Sequence, residues 1–123
     1  MTPHFPDAEL ECKCGCGMLP KQDFMDKIEG LRVAYGRPLI VSSAARCQTH
    51  NDKVSGTGRT GPHTTGRSID FAIDRKAAWE LLGLAMEFGF SGIGVNQKGG
   101  KRFLHLDDLP DAPGQPRPTV WSY

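Results

Sequence analysis

The sequence predicts a single domain that mixes α-helices with β-strands, the α+β class. Three patterns point there: apolar stripes at helical spacing over residues 20–36 and 74–88, an apolar–polar alternation from Arg67 to Ile73, and two short strand-like runs around a Gly-rich turn at 92–107. A chain of 123 residues with 38% hydrophobic and 24% charged content fits one domain with a modest core, which argues against a disordered chain.

Residues 1–19 read as an irregular arm rich in Cys and Gly. From Pro20, Phe24, Ile28, Leu31 and Tyr35 recur at steps of four, three and four, so one helical face is apolar, with Gly36 placed to end it. Pro38 to Ser43 reads as a short buried strand, and residues 44–66 as a polar loop too long to be a plain connector. In the next strand Ile69, Phe71 and Ile73 share one face, which turns Asp70 to the other. Asp74 opens a second helix whose stripe is Ala78, Leu81, Leu82, Ala85 and Phe88, with Gly89 as its stop; Trp79 is expected to be core with it. Gly92–Val95 and Arg102–Asp107 form a hairpin that puts Phe103, His105 and Asp107 on one face. The tail, 109–123, carries four of the nine prolines between Leu109 and Pro118 and is expected to wrap the surface without regular structure, anchored by Trp121 and Tyr123.

Fifteen Lys and Arg against 14 Asp and Glu leave a formal charge of +1, too balanced for the basic field of a non-specific nucleic-acid binder. No apolar run approaches the roughly 20 residues that span a bilayer. The polar start lacks the basic and apolar blocks of a signal peptide. The expected partners therefore include neither nucleic acid nor membrane.

Three side chains have the types of a metal site: His63 in the long loop, Asp70 on a strand and His105 on the hairpin. Two imidazoles and one carboxylate suit zinc and leave a fourth position for water, as in catalytic sites, whereas structural sites are closed by four protein ligands. Such a centre serves Lewis-acid chemistry, with amide hydrolysis as the natural use.

The order Ser42-Ser-Ala-Ala-Arg46, His50-Asn51, Gly61-Pro-His63-Thr-Thr-Gly66-Arg-Ser-Ile-Asp70 and Phe103-Leu-His105-Leu-Asp107 resembles the zinc D-Ala-D-Ala carboxypeptidase family. The likeness spans about residues 7 to 107 and is greatest to the group that includes phage endolysin peptidases. It implies a small antiparallel sheet backed by helices, the fold these peptidases share with the hedgehog signalling domain. It also implies that His63, Asp70 and His105 hold Zn2+, that Arg46 stabilises substrate charge, and that the substrate is a peptide bond of bacterial peptidoglycan. The implied setting is a monomer of phage or prophage origin, made in the cytoplasm and acting on the cell wall after release or within a virion. A non-catalytic zinc protein of the same fold, binding the wall or building a virion, is the alternative.

Several positions depart from the family pattern. Gly61 replaces Ser, Ser68 replaces Ala, and Ala44-Ala45 replaces Gly-Tyr. Arg102 stands where many relatives carry the acidic general base, and it cannot accept a proton. Asp107, on the same strand face as His105, becomes the candidate base, with orientation of a ligand as its other reading. His50 is expected to bond the loop. Cys12, Cys14, Cys16 and Cys47 leave three states open: a closed thiolate metal site, a disulfide from the arm to Cys47, or free thiols.

Overall fold

The computed structural model describes residues 1–123. Its elements run α1 (Asp7–Leu10), α2 (Gln22–Tyr35), β1 (Ile40–Ser43), α3 (Gln48–Val54), a 3-10 turn (Pro62–Thr65), β2 (Ser68–Ala72), α4 (Arg75–Glu87), β3 (Gly92–Asn96), β4 (Phe103–Asp107) and β5 (Thr119–Ser122). The five strands form one sheet in the order β1-β2-β4-β3-β5. The α+β class is the expected one, with a difference in the sheet: β5 pairs parallel to β3, so the sheet is mixed rather than wholly antiparallel. No helix is long and apolar enough to cross a membrane.

Alternation along the strands divides the sheet into two chemically distinct faces. Ile69, Phe71, Leu104, Leu106 and Ile93 point to one side and meet Phe24, Ile28 and Leu31 of α2 and Leu81 and Ala85 of α4. A 14-residue helix is marginal alone in water, and each of these large side chains adds roughly 1.5–3 kcal/mol on burial, so packing on the sheet is what holds α2. Gly36, in the left-handed conformation at φ 75°, ends α2 where the stripe ends.

The arm contributes to this core: Phe5 and Leu10 are buried, and the Phe5 ring lies 6.0 Å from that of Phe71. Trp79 is 75% exposed, contrary to the core position expected of it. Ala78 faces the sheet, and one residue further turns the helix by about 100°, out to solvent. Phe88, just past the last turn of α4, is likewise exposed.

Candidate metal centre

The opposite face of the sheet carries the polar chemistry in two rows. Asp70 pairs with His105, His105 with Gly94 and Gly94 with Trp121, so these four stand in line across β2, β4, β3 and β5. The next row is Ser68, Asp107, Gly92 and Thr119. The two glycines make room for what surrounds them. A Cβ on Gly92 would overlap the Asp107 carboxylate, and one on Gly94 would come within 2.8 Å of both Trp121 Nε1 and the Tyr123 hydroxyl.

His63 reaches this face from the long loop. The loop is built as α3 and a 3-10 turn, with Pro62 in the turn's first position and Gly66 at its end, φ 75°. The backbone N–H of Arg46 donates to the His63 carbonyl at 3.1 Å, and His63 Nδ1 bonds the Ala44 carbonyl at 2.7 Å, so segment 44–46 grips the histidine at both ends. Gly61, where the family pattern has Ser, leaves space that Thr57 fills; a Cβ there would overlap the Thr57 side chain. Ser68, the other small departure, is fully buried with its hydroxyl unpaired.

The donor atoms of His63, Asp70 and His105 all lie within 4.8 Å of one another, and all three residues are buried. His105 Nδ1 is 2.9 Å from Asp70 Oδ1, and His63 Nε2 is 3.2 Å from Asp70 Oδ2. The outer nitrogens are occupied as well: His63 Nδ1 by Ala44, and His105 Nε2 by Asp107 Oδ2 at 2.8 Å. Each ring therefore meets an acceptor at both nitrogens. A neutral imidazole has one N–H only, so with the outer nitrogens donating, the inner ones turn lone pairs toward a carboxylate. A cation at the point of convergence resolves that repulsion, and the two-His, one-carboxylate donor set fits zinc.

Without a cation, a proton on His105 relieves the same repulsion, and the electrostatics show that alternative. Burial works against an ionised Asp70, but the His105 and His63 rings outweigh it and hold the carboxyl well below the usual range. Burial likewise opposes charge on His105, and the carboxylates of Asp107 and Asp70 prevail, raising its pKa.

Asp107 stands behind His105 and not in front of it. It is wholly buried, and its oxygens accept hydrogen bonds from His105 Nε2–H, twice from Arg117 and from the Leu109 N–H. The sequence leaves Asp107 two roles, proton acceptor or orientation of a ligand, and the carboxylate is placed against His105 Nε2, on the far side of the ring from Asp70. Arg46 does reach the cleft: Nη1 donates to Asn51 Oδ1 and Nη2 to Ser43 Oγ, both at 3.0 Å. Asn51, whose amide donates to Thr57 and to the Gly58 carbonyl, braces the loop together with the Ser55 and Thr64 hydroxyls, and the His50 ring makes no hydrogen bond there. Arg102 donates to the Gly99 carbonyl, away from the cleft.

The cleft over the three donors measures about 520 Å³ and is open to solvent; Arg46, Thr57, Phe103, Trp121 and Tyr123 help to line it. Its far wall is the tail, which does not merely wrap the surface: Thr119–Ser122 is the strand β5, and Thr119, Trp121 and Tyr123 face the cleft. The Trp121 ring sits 5.1 Å from the His105 ring, and the Arg117 guanidinium lies 5.2 Å from the Trp121 ring centre. Burial pushes the Tyr123 phenol up, so the hydroxyl stays a neutral donor. The available signal was the period-two spacing of Thr119, Trp121 and Tyr123, masked by the prolines before it. Of the carboxylates, only Asp70 lines the cleft.

Residues 3–107 match the model of a protein family described as Peptidase M15. A search of curated proteins found no match.

Proposed function

The chain belongs to the Peptidase M15 family, and on that premise we propose that it is a zinc peptidase that hydrolyses peptide bonds in bacterial peptidoglycan stem peptides or cross-links, in a phage or prophage lysis setting. The observation that carries this reading is the convergence of His63, Asp70 and His105, with both histidines fixed from behind. Zinc held by those three side chains supplies Lewis acidity to a substrate carbonyl and brings the pKa of water down to about 7.

The chain's own residues do the rest. Asp107, locked by Arg117, fixes the His105 tautomer and keeps Nδ1 turned toward Asp70. Arg46, steadied by Asn51 and Ser43, offers a fixed positive charge to the oxygen that becomes negative during attack. The Tyr123 hydroxyl adds a neutral donor on the opposite wall, and Trp121 presents an apolar surface to the substrate chain. An open cleft suits a polymeric substrate better than an enclosed pocket does.

One observation favours a second reading, a non-catalytic zinc protein that binds the wall. Asp70, the one carboxylate lining the cleft, is committed to both histidines, and Arg102 occupies the family's acidic position. Purified sacculi separate the two. Turbidity loss and amine release that stop on chelation support the peptidase, and mass spectrometry of the muropeptides identifies the bond. Wall binding without release supports the second reading, and zinc content unchanged in both Asp70→Ala and His105→Ala overturns both.

A further inference from the structure

We propose that Cys12, Cys14, Cys16 and Cys47 form a second metal site, a closed four-thiolate centre for a soft divalent ion, zinc first, that fastens the N-terminal arm to the loop carrying Arg46. The four Sγ atoms lie within 4.8 Å of one another. Cys12 and Cys14 are 3.4 Å apart, and Cys14 and Cys47 3.6 Å. Zinc–sulfur bonds of about 2.3 Å in a tetrahedron set the sulfur–sulfur edges at about 3.8 Å, so small side-chain shifts bring all four onto one ion.

The backbone is shaped for this convergence. In extended chain, cysteines two residues apart sit on one side but about 6.6 Å from each other, too far to share an ion. Here Gly15 and Gly17 take φ of 85° and 84°, and the Cys12 N–H bonds the Met18 carbonyl at 2.9 Å, closing the segment into a loop. A Cβ on either glycine would meet nothing within 4 Å, so the turn itself, not crowding, is what needs them. Two backbone amides point at sulfur: Cys47 N–H at Cys12 Sγ, 3.3 Å, and His50 N–H at Cys47 Sγ, 3.4 Å. Such donors stabilise the thiolates that metal binding requires, each thiol giving its proton to solvent.

Four protein ligands leave no open position, which makes this centre structural. Its leverage is on the cleft. Cys47 follows Arg46 and caps α3, whose Asn51 holds the Arg46 guanidinium. The arm is otherwise tied to this segment by few bonds, among them Ala45 N–H to the Leu10 carbonyl at 3.2 Å and Lys13 Nζ to the Ser42 carbonyl. One disulfide among the four would leave two sulfurs idle beside it.

The test uses the full chain, loaded with zinc and separately with cobalt(II). Two zinc ions per chain are expected, falling to one in Cys14→Ser/Cys16→Ser and to one in His63→Ala. Both replaced cysteines are exposed, so the variant keeps the core. The cobalt-loaded wild type shows sulfur-to-cobalt charge-transfer absorption, retained in His63→Ala, and this readout holds whether or not the protein hydrolyses anything. The proposal is overturned by absence of that absorption, by an intact mass two hydrogens short, or by rapid alkylation of all four thiols in the metal-loaded native protein.

Discussion

Arg117 and Asp107 meet as a two-pronged ion pair, Nε to Oδ1 and Nη2 to Oδ2, both at 2.9 Å, with the carboxylate fully out of solvent. Because Asp107 also accepts a hydrogen bond from His105 Nε2–H, an arginine in the tail sets the orientation of a histidine in the centre of the sheet. Residue 117 lies beyond the segment that matches the family, 3–107, so this clamp is supplied by the chain's own C-terminal stretch.

Removing the clamp has two expected effects. Arg117→Ala leaves a buried carboxylate with one partner fewer, a loss on the order of 3 kcal/mol in unfolding free energy. It also loosens His105, and lost support of this kind weakens metal affinity by about 10–100-fold. Denaturant unfolding and zinc competition against a chelator measure the two; Arg117→Lys, lacking the fork, recovers only part of either. Unchanged zinc affinity in Arg117→Ala would show that His105 holds its orientation without the tail.

The glycines predict opposite responses to one methyl group. At Gly92 a Cβ falls on the Asp107 carboxylate, so Gly92→Ala is expected to lower stability by roughly 1–3 kcal/mol and to reduce zinc binding with it. Gly83 lies inside α4 with open space around it, and Gly83→Ala is expected to raise stability by about 0.5–1 kcal/mol with zinc binding unchanged. Thermal unfolding of the two variants side by side checks the contrast.

Much of this site is legible in the sequence because its determinants are local. Strand alternation puts Asp70 and His105 opposite the apolar residues, and the β2–β4 register then makes them direct neighbours. What escapes depends on contacts distant in the chain. β5 is four residues long, follows a run of prolines, and exists through its pairing with Gly92–Val95. α3 has no apolar periodicity; the Cys47 cap and the buried Asn51 amide hold it. Trp79 reads as core by side-chain type alone, and its phase on α4, one residue from Ala78, points it outward instead.

Asp108 gives a prediction in acid. Burial raises its pKa, but Arg67 and Lys27, bonded to it at 2.7–2.8 Å, win and hold it below the usual carboxylate value. A depressed folded pKa means that the stabilisation is fully present above the unfolded value of about 3.9 and is lost as pH falls through the folded one. Asp108→Asn is therefore expected to cost roughly 1–2 kcal/mol at pH 7, reduced by solvent screening, with the gap to wild type closing below about pH 4. Unfolding curves from pH 7 to pH 3 test it; a gap that stays constant through acid assigns the loss to shape and not to charge.

Asp107→Asn separates a positioning role from a proton-accepting one. An Asn can accept from His105 Nε2 with its oxygen, but its amide then faces the Arg117 guanidinium, donor against donor. Zinc affinity is expected to fall by about 10–100-fold, with turnover falling alongside it. Raising free zinc until the site fills then restores most of the turnover, because the group that faces substrate has not been touched. A base behaves differently: zinc occupancy stays normal while turnover drops by about 100-fold or more at every zinc concentration. Measuring turnover across a zinc titration in wild type and variant distinguishes the two, and a loss that saturating zinc does not repair would return the proton to Asp107.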